Sequence, residues 1–248
     1  MSFVITLYVR EGIVMASDSR LTLNTQNQVA GQPTIMNVAV GMSDSNHKTF
    51  LAYNRFGIST FGQADMNDVP ISGNIESFIR QQVDGDVINV ETFATRLKVF
   101  FRQYNPIPNT HFLVAGYETD GGVLKQRVFN VNVNGDSVTR ANPENVNSEI
   151  QGAQWGGETD ILMRLLQPTF LEQQQPGAQS TYQALPHFVI PFQFFTLQDA
   201  IDFSVYAIQT TIDTIKFQPR AKTVGGPIDV LVIKPTECIW VSRKQLKI

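Results

Sequence analysis

A chain of 248 residues, 42% of them hydrophobic and 17 of them Phe, carries enough apolar material for a substantial core in one large domain spanning 1–248. Only 17% of the residues are charged and the net charge is −3, which argues against a basic nucleic-acid-binding surface and a disordered acidic tail. The single cysteine, Cys238, excludes an intramolecular disulfide framework and a cysteine-based zinc site, and His47, His111 and His187 lack metal-ligand spacing, so no metal or cofactor is expected.

No apolar run approaches the ~20 residues that cross a bilayer. The opening MSFVITLYVR alternates and has no basic stretch ahead of it, so it predicts a strand and not a signal peptide, with a cytoplasmic location as the default. Phe3, Ile5, Leu7 and Val9 share one face, and Val4, Thr6 and Tyr8 share the other; both faces are mostly apolar, as in a strand covered on both sides. Arg10-Glu11-Gly12 turns the chain, and 13–17 returns as a second strand. The polar stretch 24–32 predicts a loop, and 49–53 with 58–61 a second hairpin. Two helices follow, at about 74–83 and 91–104. The second carries Phe93, Leu97, Phe100 and Phe101 on one stripe.

Strands resume at 111–116 and 124–133, with Asn134-Gly135 as a hairpin turn. A strand near 148–152 and a helix at 158–166 come next, then an irregular excursion over 167–183. Thr196 to Asp199 resembles a capping box and opens the longest helix, whose Ile201, Val205, Ile208, Ile212 and Ile215 recur at helical spacing. Strands at 228–233 and 238–242 close the chain. Strands, helices, strands, helices and final strands predict an α+β fold in which helices flank stacked, mainly antiparallel sheets. A polar surface rich in Asn, Gln, Ser and Thr suits a protein that covers part of its exterior with copies of itself.

Chemistry concentrates near the start. Ser2 follows the initiator, and methionine is commonly trimmed before a small residue. The chain would then begin with a hydroxyl nucleophile whose own α-amine, of ordinary pKa about 7.7–8.0, is a base near neutrality. The hairpin returns Asp18 to Ser2, within Ser17-Asp18-Ser19-Arg20. Lys48 opens a later strand, where a buried ammonium paired with Asp18 would tune the serine by charge proximity. Gly62 ends the strand 58–61, where a glycine lets a backbone N–H approach an oxyanion. Each has a plainer reading when taken singly: a common second residue, a surface ion pair, a solvated lysine and a turn glycine.

Together these residues resemble the proteasome β-subunit family of N-terminal nucleophile hydrolases. The segment VITLYVREGIVMASDSRLT repeats that family's strand, glycine turn, strand and Asp-Ser-Arg; Asp18 and Arg20 occupy the offsets of its acid and arginine. HKTFLAYNRFGISTFG carries the spacing from its lysine, here Lys48, to its oxyanion glycine, here Gly62. VGGPIDV, at 224–230, looks like its Gly-Gly-x-Ile-Asp-Val strand entry. A start at Met-Ser is more similar to the bacterial Anbu branch than to a processed subunit. The resemblance implies a four-layer αββα sandwich, rings or open helices of identical subunits, hydrolysis of peptide bonds in peptides or unfolded proteins, and an unidentified regulator as a further partner; no membrane partner is expected.

Two departures stand out. The family's Asp-x-x-Ser before Gly-Gly is replaced by Ala221-Lys222-Thr223-Val224, with Thr223 as the candidate substitute. Trp155 occupies a place where the family has a small serine, and is expected to narrow the pocket. The nucleophile is also Ser where the family prefers Thr, whose methyl group restricts χ1. Three functional expectations follow: a Ser2 peptidase in a self-assembling complex, a catalytically inactive scaffold subunit, and a small-molecule amidase.

Overall fold

The computed structural model describes residues 2–28, 35–66, 69–82, 88–143, 151–173 and 180–245. The opening hairpin β1 (Phe3–Val9) and β2 (Gly12–Ser17) forms the centre of one sheet, flanked by β12 (Gly152–Gly157) beside β1 and by β15 (Asp229–Ile233) and β16 (Cys238–Ser242) beside β2. A second sheet runs in the order β11 (Ser137–Arg140), β10 (Val123–Asn132), β9 (Thr110–Asp120), β6 (Phe56–Gly62), β5 (Thr49–Ala52). Neighbours in both sheets are antiparallel.

The alternation within β1 builds the layers. Phe3, Ile5, Leu7 and Val9 point outward, under α3 (Asp160–Leu166) and α4 (Leu197–Phe217), into one apolar cluster. Val4 and Tyr8 point inward and meet Leu113, Ala115 and Val128 of the second sheet. The far side of that sheet buries Phe56, Ile58, Phe112 and Val114 beneath α1 (Ile71–Gln81), which follows the short pair β7 (Asp65–Met66) and β8 (Val69–Pro70), and α2 (Val90–Phe101). The result is the expected αββα sandwich, and its first strand is buried on both faces throughout.

Local chemistry sets the helix ends. Asn89 accepts from the Thr92 N–H at 2.7 Å and starts α2. Thr196 and Asp199 form a reciprocal capping box at α4: the Asp199 N–H donates to Thr196 Oγ1 at 3.2 Å, and the Thr196 N–H to Asp199 Oδ2 at 2.8 Å. In α2, Phe93, Leu97 and Phe101 are fully buried, each contributing about 1.5–3 kcal/mol relative to exposure. In α4 the buried face is centred on Ala200, Ser204, Ala207, Ile208, Thr211 and Ile215, while Ile201, Val205 and Ile212 flank it. Small residues on that line let the helix approach β1 and β2.

Three sequence expectations change. The stretch expected as a loop at 24–32 lies largely in a hairpin, β3 (Leu21–Gln28) with β4 (Ile35–Ser43), whose connection 29–34 is outside the described residues. Backbone pairing needs no apolar side chains, so hydropathy did not reveal it. The strand expected near 148–152 is β12, later by several residues; 148–150 lie outside the described residues. The excursion at 167–183 contains an exposed two-stranded ribbon, β13 (Phe170–Gln173) and β14 (Thr181–Ala184), with 174–179 outside the described residues.

Candidate active site

The end of β2 delivers Asp18 to the start of β1, because the hairpin register places Ser17 opposite Val4. Asp18 is fully buried and its carboxylate accepts four hydrogen bonds. Oδ1 takes the Phe3 N–H at 2.9 Å and Lys48 Nζ at 2.6 Å; Oδ2 takes the Arg20 N–H at 3.1 Å and the Gly225 N–H at 3.0 Å. Each oxygen is thereby saturated, and the carboxylate joins β1, β2, the 48–49 strand entry and the 225 turn at one point.

Lys48 is 5% exposed and donates to Asp18 Oδ1 and to the Arg20 carbonyl, both at 2.6 Å. Burial holds its ammonium below the ordinary lysine range, and the Asp18 charge opposes that shift. Nearby, Thr49 Oγ1 donates to Ser17 Oγ and shares a hydrogen bond with Ser59 Oγ, each at 2.9 Å, a buried polar tie between the two sheets.

Ser2 is buried immediately before β1, and its carbonyl accepts the Glu158 N–H at 2.7 Å. That contact depends on Gly157, whose φ of 95° is unfavourable for other residues. A Cβ there would stand 1.8 Å from the Ser2 carbonyl oxygen.

Gly62 has φ 104°, and a Cβ would approach the Asn109 carbonyl oxygen to 2.6 Å. The direction of its N–H follows from the peptide plane. The Phe61 carbonyl accepts Thr110 Oγ1 on the β9 side at 3.3 Å, so the Gly62 N–H of the same peptide points away from β9. Two residues earlier, the Thr60 N–H points the same way and meets the Lys48 carbonyl at 2.9 Å. Beyond Lys48 no strand covers this edge among the described residues, so the Gly62 N–H has no strand partner on the edge where Gly62 and Ser2 line a common recess.

Ser2, Lys48 and Gly62 line one recess of about 20 Å³, together with Leu21, His47 and Thr60. A wider recess of about 260 Å³ lies on the other side of Ser2 and Gly62, bounded by Phe61, Asn109, His111 and Gly157. Phe61 stacks on His111 with centroids 5.1 Å apart, and burial lowers the His111 pKa.

The supporting residues are distributed differently from expectation. Arg20 does not face the recess. It grips Asp44 with two bonds, Nε to Oδ1 at 2.6 Å and Nη2 to Oδ2 at 2.7 Å, and lies against Gly225, where a Cβ would come within 2.4 Å of its Cζ. The hydrogen bond with Asp44 raises the Arg20 pKa and lowers that of Asp44. Thr223 is one residue removed from Ser2: its Oγ1 donates to Glu158 Oε2 at 3.0 Å, and Arg220 Nη1 donates to Glu158 Oε1 at 2.8 Å.

Trp155 corrects an expectation. It lies within β12 opposite Ile5, and antiparallel partners share a face, so its ring packs with the helix-side cluster and not in the pocket. Gly156, opposite Val4, faces inward, and a Cβ there would collide with the Phe61 ring at 2.3 Å.

Glu158 and His47 were not singled out from sequence. Glu158 follows two glycines at a strand end, but only the register of β12 beside β1 brings it to Ser2. His47 Nδ1 stands 3.6 Å from Asp229 Oδ2, a carboxylate that also binds Lys244 through its N–H at 2.8 Å and through its ammonium. Burial lowers the His47 pKa, Lys244 adds to the shift, and Asp229 opposes it. Its position directly before Lys48 was the available signal.

Among the described residues no group of His, Cys, Asp and Glu is arranged to hold a metal, and no helix is long and apolar enough to cross a membrane. No protein-family model matches the chain, and no curated protein matches it significantly. Among solved structures, the chain is similar to the Anbu (Gly-1) mutant from Hyphomicrobium sp. strain MC1. The TM-score is 0.56 at 16% identity, over 98% of this chain and 86% of that one. The fold is therefore that of the Anbu-type, proteasome-like sandwich.

Proposed function

We propose that the chain is an N-terminal nucleophile hydrolase that cleaves peptide bonds with Ser2 once Met1 is removed. The carrying observation is the convergence of Ser2, Lys48 and Gly62 on one recess, with Lys48 pinned by a saturated, buried Asp18.

Ser2 Oγ attacks the scissile carbonyl while its proton passes to the Ser2 α-amine. Negative charge on the carbonyl oxygen is met by the Gly62 N–H, which its peptide orientation leaves open. The ammonium then gives its proton to the departing amine, leaving a seryl ester that water hydrolyses through the same amine. Two of the three Lys48 donors are committed to Asp18 and the Arg20 carbonyl, and the third is available to Ser2 Oγ. Glu158, fixed by Arg220 and Thr223, clamps the Ser2 carbonyl and so the direction of the amine. This supplies the positioning that the missing Asp-x-x-Ser would give.

Self-association belongs to the same reading. It is supported by the likeness of fold and by the exposure of large apolar side chains such as Phe170, Phe188, Phe194 and Phe217.

The test is intact mass of protein from its native host, followed by treatment with a fluorophosphonate. A chain starting at Ser2, and an adduct on Ser2 that Ser2→Ala abolishes, are expected. Retained methionine or no adduct would leave the scaffold reading, and turnover of acylated amines without peptides would favour the small-molecule amidase.

A further inference from the structure

From Leu165 to Thr196 the chain holds a single Asp, Glu, Lys or Arg, Glu172, although these make up 17% of the whole. This stretch leaves α3, forms the ribbon β13–β14 and leads into α4. Every residue of both ribbon strands is exposed, and a lone two-stranded ribbon is marginal in water. It calls for a covering surface.

The pairing register sorts the ribbon's side chains. Phe170 stands opposite Ala184 and Glu172 opposite Tyr182; opposed residues share a face, so Phe170, Glu172 and Tyr182 lie together. Phe170 and Tyr182 wall an open groove of about 610 Å³, whose other side is Met163, Arg164 and Pro168 at the end of α3. The Leu185 N–H donates to the Thr169 carbonyl at 2.9 Å, and His187 Nε2 donates to the Leu166 carbonyl at 2.8 Å. Those two ties hold Phe188, 91% exposed, beside the same helix end.

Phe170, Tyr182, Leu185, Phe188 and Val189 together expose roughly 600 Å², at about 150–250 Å² for a whole aromatic side chain. With the polar atoms around them, this approaches the about 800 Å² that each partner contributes to a standard interface. Groove and ribbon also carry two opposite charges, Arg164 and Glu172. Both are exposed, and neither has an ion-pair partner among the described residues. A knob, a groove, a cation and an anion on one surface make it self-complementary, since under a two-fold axis each copy supplies what the other lacks. A lipid surface fits poorly, because no Lys or Arg lies between 165 and 196.

We infer that the ribbon β13–β14 and the end of α3 form a two-fold interface with a second copy of the chain. Phe188 of each copy fills the groove of the other, and Glu172 pairs with Arg164 of the partner subunit. The inference rests on the self-association in the reading above and is independent of the Ser2 reaction.

The test is the mass of the full-length protein by light scattering across a dilution series. An assembly with an even number of chains is expected, which the variants divide into halves. Phe188→Ala should weaken the association about 30-fold or more, and Glu172→Arg and Arg164→Glu each about tenfold or more. Combining the two reversals should return it to within about threefold of the parent, which a merely damaged surface would not do. A parent that is monomeric throughout removes self-association and the inference together. A parent assembly that no variant weakens, or a double reversal as weak as the single ones, overturns the inference alone and leaves another surface to join the copies. Binding to phosphatidylcholine vesicles that Phe188→Ala abolishes, with the mass unmoved in every variant, would overturn it in favour of lipid.

Discussion

Replacing Asp18 with asparagine preserves the side-chain shape but leaves one oxygen where four donors converge. If the amide oxygen keeps the Phe3 N–H and Lys48, the new NH₂ confronts the Arg20 and Gly225 N–H groups, both within 3.1 Å of Oδ2 in the parent. Each orphaned buried donor costs about 1–3 kcal/mol, and stripping a buried ammonium of its counter-charge costs about 3–5 kcal/mol. These costs overlap, and a net loss of about 4 kcal/mol is expected, a large part of a typical stability of about 5–15 kcal/mol. The loss carries a pH signature. Without Asp18, only the weaker charge of Asp44 opposes the burial that already lowers the Lys48 pKa, and Lys244 adds to that shift. The unfolded chain then binds a proton that the folded chain releases, so stability rises with pH from the folded pKa up to the unfolded value near ~10.4. Urea unfolding at fixed protein concentration, followed by tryptophan fluorescence at pH 6.5, 8 and 9.5, reads both quantities. An Asp18→Asn midpoint equal to the parent's, with the same pH slope, would refute the buried-pair argument.

Four further substitutions or modifications test other contacts. Gly157→Ala places a methyl carbon 1.8 Å from the Ser2 carbonyl oxygen at φ 95°; a loss of about 3 kcal/mol in stability is expected, and an unchanged Tm contradicts the close approach. Trp155→Ser should destabilise the helix-side layer by about 3 kcal/mol or more while leaving the ratio of cleavage rates between substrates unaltered; a changed ratio would return Trp155 to the pocket. Glu158→Ala unties Arg220 and Thr223 from the Ser2 neighbour, and kcat is expected to fall about tenfold or more with KM little changed; a pure KM effect would argue for a substrate contact instead. Burial pushes the Cys238 thiol up to about 11, with Glu237 adding to the shift, so only about one thiol in a thousand is ionised at pH 8. Iodoacetamide should therefore label Cys238 far faster in urea than in the folded protein, and equal rates would show that the thiol is not held in this environment.

Much of the architecture is legible in local patterns. Alternation in 3–9 foretold two covered faces, and those residues divide between the outer and inner clusters accordingly. Thr196 and Asp199 announced the start of α4 because a capping box closes within four residues. The α4 seam shifted toward Ala200, Ala207 and Thr211 because the fit of a helix to a twisted sheet rewards small residues, which hydrophobic periodicity underweights. The hairpin over 21–43 escaped because its pairing is carried by backbone groups.

By itself, the sequence determined the opening hairpin, the cap of α4, and the adjacency of Ser2 and Asp18 across a short turn, since these depend on neighbours a few residues apart. Only the tertiary structure decided that Trp155 turns from the pocket, that Glu158 clamps Ser2, and that the Gly62 N–H has no strand partner at the recess it shares with Ser2. Those outcomes depend on strand register between segments separated by tens to more than a hundred residues, and a shift of one residue would exchange every inward side chain for an outward one.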